Sequence, residues 1–249
     1  MTFDGGRVVT GEAARPGGTP GPRTVVDALR RIQRGEMVLV SDGADREDEA
    51  DLTMAAQWVT PEAIAFMLRH GRGLVCMPCD GARLDRLGLG PMVSDAATSG
   101  TPPAPSCDTA FTVSIDHRSV GSGISAGDRA ATIRAVLDPW AGAADFVRPG
   151  HVFPLRAREG GVLVRTGHTE AAIDLARLAG LAPCAVICEV LNDDGTIARG
   201  PELDRLAADH DLARVTIEDL VAYRRAMLRP GVLARGSGGG PRKDISVVT

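Results

Sequence analysis

The stretch Asp42-Gly43-Ala44-Asp45-Arg46-Glu47-Asp48-Glu49-Ala50-Asp51 concentrates the chemistry of this chain. Five carboxylates and one arginine fall between Asp45 and Asp51. The apolar run Met37-Val38-Leu39-Val40 leads in, and Leu52-Thr53-Met54-Ala55 leads out. Apolar runs on both sides predict two strands, at 36–41 and 50–57, with the charged residues on the loop between them. Such a run suits a solvated turn. It also suits a site for a hard divalent cation and an anionic substrate, because Mg²⁺ takes carboxylate oxygens and usually one or two of them.

The rest of the composition narrows the class. The chain has 249 residues, 44% apolar and 24% charged, as a soluble globular fold requires. Aromatic residues make up only 3%, so the core is aliphatic. A net charge of −4 argues against general nucleic-acid binding. No apolar run reaches the ~20 residues of a membrane span, and the N-terminus lacks the apolar segment of a signal peptide. The five cysteines (76, 79, 107, 184 and 188) read as reduced thiols of a cytoplasmic protein. Cys76-Met-Pro-Cys79 has no second pair at zinc spacing to support a metal reading.

Periodicity and punctuation divide the chain. Residues 1–22 read as a flexible Gly/Pro leader, 23–229 as one catalytic domain, and 230–249 as a disordered Gly-rich tail. Thr24 is expected to cap a first helix running through Gly35. Thr60-Pro61-Glu62 is a strong helix start, and that helix is expected to run to about His70. Short strands are expected from Gly73 and over 110–116, with a helix at 80–88. The Pro/Gly/Ser/Thr-rich segment 89–108 reads as a long loop, either disordered or a candidate lid. A helix is expected at 126–137, a turn at Gly150-His151-Val-Phe-Pro154, and a strand at 161–164. Arg165-Thr-Gly-His168-Thr169-Glu170 opens a helix ending at Gly180. A buried strand at 185–190, a turn at 192–195, a helix from Pro201, a strand at 214–217 and a last helix to about Leu228 complete the reading.

Several residues stand out within this frame. His168 lies in the first turn of a helix, where free amides favour an anion or a metal-bound oxyanion. A lone histidine in that place also suits an ordinary buried or surface residue. Glu189 ends a near-continuous apolar run, and buried carboxylates cluster at active sites. Ser122-Gly-Ile-Ser125 precedes a helix and has the makings of a phosphate cradle. No nucleotide-binding glycine motif and no serine-hydrolase elbow is present.

Taken together, these stretches resemble the 3,4-dihydroxy-2-butanone 4-phosphate synthase family of riboflavin biosynthesis. The resemblance rests on Asp45-Arg46-Glu47-x-Glu49-x-Asp51-Leu52, on 59–67, Gly73-Leu-Val-Cys76 and 109–114. It continues through Gly123-Ile-Ser125, Asp128-Arg129, 148–155, Gly167-His168-Thr169-Glu170-Ala171, Cys188-Glu189 and 192–195, and covers roughly residues 24–228. It implies an α/β fold: one domain with a mixed β-sheet between helical layers. It implies a cytoplasmic homodimer with active sites at the interface, and conversion of ribulose 5-phosphate into 3,4-dihydroxy-2-butanone 4-phosphate and formate with Mg²⁺ or Mn²⁺. By motif, Glu47 and His168 match the metal ligands. Arg46, Asp51, Ser122, Arg165, Thr169 and Glu189 match substrate contacts, and His151, Glu189, Asp51 and Cys76 match catalytic positions.

The match departs from the family's pattern at the site. The usual Asp-Asp-Glu-Asp-Arg-Glu-Asn-Glu-Gly-Asp has Gly43 and Ala44 for two acids, Asp48 for Asn and Ala50 for Gly. Gly121 replaces the first Thr of Thr-Thr-Gly-Ile-Ser. If the backbone at Ala50 needs a positive φ, it is strained. A specialised-metabolism paralogue, acting on a related phosphosugar or giving another product, and a catalytically silent sugar-phosphate binder are the alternatives these departures leave.

Overall fold

The acidic stretch is the loop of a β-hairpin. A computed structural model describes residues 22–43, 46–93 and 109–228. In it β1 (Val38–Ser41) pairs antiparallel with β2 (Ala50–Ala55), Val40 opposite Asp51. Ala50 belongs to this strand and has no positive φ, so the expected strain is absent there. The left-handed residue is Asp48, at φ 54, a conformation that Asp tolerates better than most side chains.

Four of the helices start at a side-chain cap, and among these caps Thr60 is the one the sequence predicts. Thr60 accepts the Ala63 N–H at the start of α2 (Pro61–Phe66). Ser125 does the same for Asp128 in α4 (Ala126–Leu137), and Thr216 for Asp219 in α7 (Ile217–Met227). Asp80 caps α3 (Gly81–Arg86). The first helix, α1 (Pro22–Gln33), begins two residues before Thr24, because proline's fixed φ suits a helix's first position. α2 passes into a π-helical turn at Met67–Gly71 in place of a continuous α-helix. α5 (His168–Leu178) and α6 (Pro201–Asp209) complete the set.

Other expectations need correction. β3 is confined to Cys76–Cys79, and β4 to Ile115–His117, with Phe111 and Thr112 making only isolated bridges. Gly150-His151-Val-Phe-Pro154 is not a turn: it lies within β5 (Phe146–Arg156). A Pro-Gly pair inside a strand is allowed beside a bulge, and the β4–β5 register shifts at Ile115/Asp116. The expected strand at 161–164 is a 3₁₀ turn (Gly161–Leu163), since Gly160 and Gly161 are both left-handed and the Val162 N–H bonds to Asp174. The lid expectation falls mostly on 94–108, and the leader and tail on 1–21 and 229–249, outside the described residues.

With β6 (Ala185–Glu189) and β7 (Ala213–Thr216), the strands form one sheet in the order β4-β5-β3-β6-β2-β1-β7. β1–β7 and β3–β5 are parallel, and the other pairs antiparallel. Period-two alternation sends Leu52, Met54, Val186 and Cys188 to one face, with residues of α2, α4 and α6, and Val38, Val40 and Ala55 to the other, with residues of α1, α5 and α7. This is the expected α-β-α layering. Fully burying a side chain such as Leu52 stabilises by about 1.5–3 kcal/mol.

Candidate active site

On the face that carries α5, the alternation places Asp51 and Glu189 side by side. They are cross-strand partners in the β2–β6 register, at the centre of the sheet. Cys76 adjoins them on β3, over the small apolar floor of Leu155, Ala172, Ala185 and Ile187. The start of α5 brings in His168 and Thr169, and the hairpin loop brings in Arg46, Glu47 and Glu49. With Arg165, these groups line a cavity of ≈ 270 Å³.

The hairpin loop is organised by Asp42. Its carboxylate accepts the N–H groups of Glu47 (3.2 Å) and Glu49 (2.9 Å), and Arg46 Nη1 (2.8 Å). Arg46 also grips both oxygens of Glu47, at 2.8 and 3.1 Å. His168 Nδ1 stands 3.7 Å from Glu47 Oε2. Asp42, Glu47 and His168 offer ligand atoms within 4.8 Å of one another. Asp42 is held by backbone amides of the loop, whereas Glu47 is held only by side chains, so Glu47 and His168 are the more readily recruited donors.

Charge crowding sets the protonation of this cluster. Burial, then the nearby Glu189, Glu49 and Glu47 carboxylates, push Asp51 up to about 7, against the opposing pull of His168. Burial acts to lower His168, but the carboxylates of Asp51, Glu47 and Asp42 outweigh it and raise the imidazole to about 9. His168 and Arg46 hold Glu47 below the usual carboxylate range despite its partial burial. Burial, then the nearby Glu189 and Asp51 carboxylates, push the Cys76 thiol far up, which favours its neutral form. Asp51 Oδ1 and His168 Nε2 are buried without a hydrogen-bond partner among the described residues. Unpaired buried polar atoms are costly, and a bound cation or polar substrate would satisfy them. The donor set of carboxylate oxygens plus one imidazole fits Mg²⁺ or Mn²⁺.

Groups able to bind an anion adjoin this cluster. α5 opens at Gly167 with no side-chain cap, so its first amides are free of intrahelical partners at the cavity wall. Arg165 is aimed by Glu170, whose Oε2 accepts Nη1 at 2.6 Å and whose Oε1 accepts the Arg158 N–H at 3.0 Å. Glu189 is fixed differently. Its Oε2 accepts the Leu74 N–H at 2.8 Å, and it makes no ion pair among the described residues.

Arg46, Glu47, Asp51, Cys76, Arg165, His168, Thr169 and Glu189 therefore meet in one cavity, whereas His151 and Ser122 do not line it. His151 stands on β5 with its side chain 42% exposed, paired with Asp116, and Ser122 is exposed on the loop before α4. Glu49, Asp42 and Asp116 are additions that the sequence reading did not single out for roles. Glu49 was legible, since it alternates with Glu47 and Asp51 toward the cavity. Asp116 was not, because its role depends on a bulge. The Cys76-x-x-Cys79 spacing makes no unit: Cys79 turns away and lies 3.3 Å from the sulfur of Cys184.

A mixed sheet between helices, with a carboxylate–imidazole cluster and two arginines above its central strands, defines a site for a divalent cation and a small phosphorylated or otherwise anionic substrate. The sequence profile of 3,4-dihydroxy-2-butanone 4-phosphate synthase matches residues 26–223, and the chain belongs to that family. It is 53% identical over 203 residues to the 3,4-dihydroxy-2-butanone 4-phosphate synthase of Neisseria meningitidis serogroup A, covering 80% of this chain and 53% of that one. It is 52% identical over 201 residues to a riboflavin biosynthesis protein RibBA of Bacillus cereus, covering 81% and 49%. The chain thus spans about half the length of these curated relatives. A crystal structure of 3,4-dihydroxy-2-butanone 4-phosphate synthase in complex with two magnesium ions shares the fold at TM-score 0.74 and 42% identity, covering 81% of this chain and 96% of that one.

Proposed function

We propose that the chain converts D-ribulose 5-phosphate into L-3,4-dihydroxy-2-butanone 4-phosphate and formate. The observation that carries this reading is the cavity that joins Glu47 and His168 to the Asp51–Glu189 pair and to Arg46, Arg165 and the start of α5. Glu47 and His168 would hold Mg²⁺ or Mn²⁺, which supplies Lewis-acid stabilisation of negative charge on vicinal sugar oxygens. Arg165, Thr169 and the free amides of α5 bind and orient the phosphate. Arg46, which shields Glu47 and Asp42 here, is available to a second anionic oxygen. Enolisation and the later rearrangement need a group that takes a proton and returns it. Asp51, raised to about 7 beside Glu189, is poised for that exchange. Cys76 contributes a neutral wall.

His151 and Ser122 would serve the site of a second copy. Ser122 is exposed and His151 partly so, and Ile124 and Val147, at 52% and 44% exposure, present apolar surface from the same two segments. A homodimer is the arrangement that supports this reading. No helix among the described residues is long and apolar enough to cross a membrane. The four described cysteines carry no disulfide, in keeping with the cytoplasmic setting we assign.

The departures from the family's loop leave the ligands intact. Ala50 is an ordinary strand residue, and Asp48 adopts a conformation open to Asn and Asp alike. Incubation with ribulose 5-phosphate and Mg²⁺, with formate and the four-carbon ketone both assayed, tests the reading. Equal amounts of the two are expected. Turnover to another product would point to a paralogue, and binding without turnover would overturn the enzymatic reading.

A further inference from the structure

His151 shares a carboxylate with its own backbone. Its N–H donates to Asp116 Oδ1 at 2.9 Å, and its ring Nδ1 lies 2.7 Å from Asp116 Oδ2. The local structure is built to admit this contact. The shift in β4–β5 register between Ile115 and Asp116 re-aims the Asp116 side chain. At Gly150 a Cβ would come within 2.0 Å of the Ile115 carbonyl carbon, so the strands approach there only without a side chain. Gly123, at φ +84, passes so close that a Cβ would stand 2.0 Å from Asp116 Oδ2. That turn is anchored from α4, where Arg129 Nε donates to the Ile124 carbonyl and Asp128 accepts the Gly123 N–H. Asp116 is buried, whereas the His151 ring is partly exposed and its Nε2 makes no hydrogen bond among the described residues.

We propose that Asp116 is a positioning residue that fixes His151 as the Nδ1–H tautomer and presents Nε2 outward as the free acceptor. This rests on the reading that His151 serves the reaction. A carboxylate only accepts hydrogen bonds, and both of its oxygens are taken up by one histidine. A neutral imidazole has one donor and one acceptor nitrogen. The proton must therefore sit on Nδ1, and Nε2 faces solvent or a second copy's cavity as a base or hydrogen-bond acceptor. Asparagine would keep one acceptor for the backbone N–H and turn its N–H₂ toward Nδ1. The proton would then move to Nε2, the wrong tautomer. In a serine protease the same exchange costs about 10⁴ in turnover.

The test uses the full chain labelled with ¹⁵N-histidine. It has five histidines, and the His151 signals are those lost in His151→Asn. At about pH 8.5, where an ordinary imidazole is neutral, wild-type His151 is expected as the Nδ1–H tautomer. Asp116→Asn is expected to show the Nε2–H form, with kcat lower by about 10²–10⁴ and KM for ribulose 5-phosphate within about threefold. The double variant is expected to be no slower than His151→Asn alone, since the two residues act as one unit. An Nε2–H signal in the wild type, or an Asp116→Asn enzyme with normal turnover, overturns the proposal. The wild-type spectrum decides the tautomer even if the variant does not fold. A wild-type chain that makes no formate removes the assigned reaction, and Asp116's part in it, while the spectrum still reports the tautomer.

Discussion

Asp51 and Glu189 face each other across two antiparallel strands, where like charges are ordinarily destabilising. The two are fixed by different means. Glu189 is held by a backbone amide and by no arginine among the described residues. Its loss should therefore be felt in rate more than in stability. Glu189→Gln is expected to keep the wild-type melting temperature and to lose about 10²–10⁴ in single-turnover rate. A lowered melting temperature with unchanged kinetics would assign Glu189 a structural role instead. Asp51 is the strained partner. Its folded-state pKa, about 7, lies above the unfolded value of about 3.9, so the folded form keeps a proton that the unfolded chain releases. Stability is thus lost as pH rises from about 4 to about 7, with His168 opposing the effect and Glu189, Glu49 and Glu47 adding to it. In chelator-treated protein, Asp51→Asn is expected to melt above wild type at pH 8, with the gap closing toward pH 5. A gap of the same size at both pH values would mean that Asp51 is not under this strain.

The hairpin loop holds its shape through Asp42, which takes two amides and Arg46, and through the left-handed backbone at Asp48. Asp48 also pairs with Arg199 (2.6 Å), but that bridge is half exposed and worth little. The backbone should therefore dominate. Asp48→Asn is expected to be near neutral, and Asp48→Val to cost about 1–2 kcal/mol in urea unfolding. Equal effects of the two would show that the side chain's charge matters more than φ. At this scale much of the fold could be read from the chain, because caps are local. Thr60 announces α2 within three residues of itself, and Ser125 and Thr216 cap α4 and α7 in the same local way. β5 escaped because Pro149-Gly150 carries a turn's signature, and only the bulge against β4 makes it a strand. Gly161-Val-Leu-Val164 misled in the opposite sense. Its apolar run suits a strand, but two left-handed glycines and a bond to Asp174 turn it into a 3₁₀ turn. Most of the residues that line the cavity were legible from their types and motifs. Their grouping was not, since the Asp51–Glu189 register and the Asp116–His151 contact depend on segments far apart in sequence.

At the scale of the molecule, one chain brings Glu47, His168, Arg165 and Thr169 into a single cavity but leaves His151 and Ser122 outside it. In the two-fold dimer we propose, that division would be resolved, because each cavity would be completed by the β5 face of the other copy. The two halves of such a site can be inactivated separately. In a heterodimer of Glu47→Gln with His151→Asn, one cavity would carry both lesions and the other neither. Random re-pairing of equal amounts of the two inactive proteins would make about half the dimers mixed, and one cavity in each mixed dimer sound. About a quarter of wild-type activity is therefore expected after mixing and subunit exchange. The same mixture kept from exchanging should stay inactive, as should a mixture of Glu47→Gln with His168→Ala, whose lesions fall in the same half-site. If exchange restores nothing while mass measurement shows mixed dimers, each chain builds its site alone and His151 works within its own protomer. Full activity from a protein that sedimentation shows to be monomeric would lead to the same conclusion by a separate route.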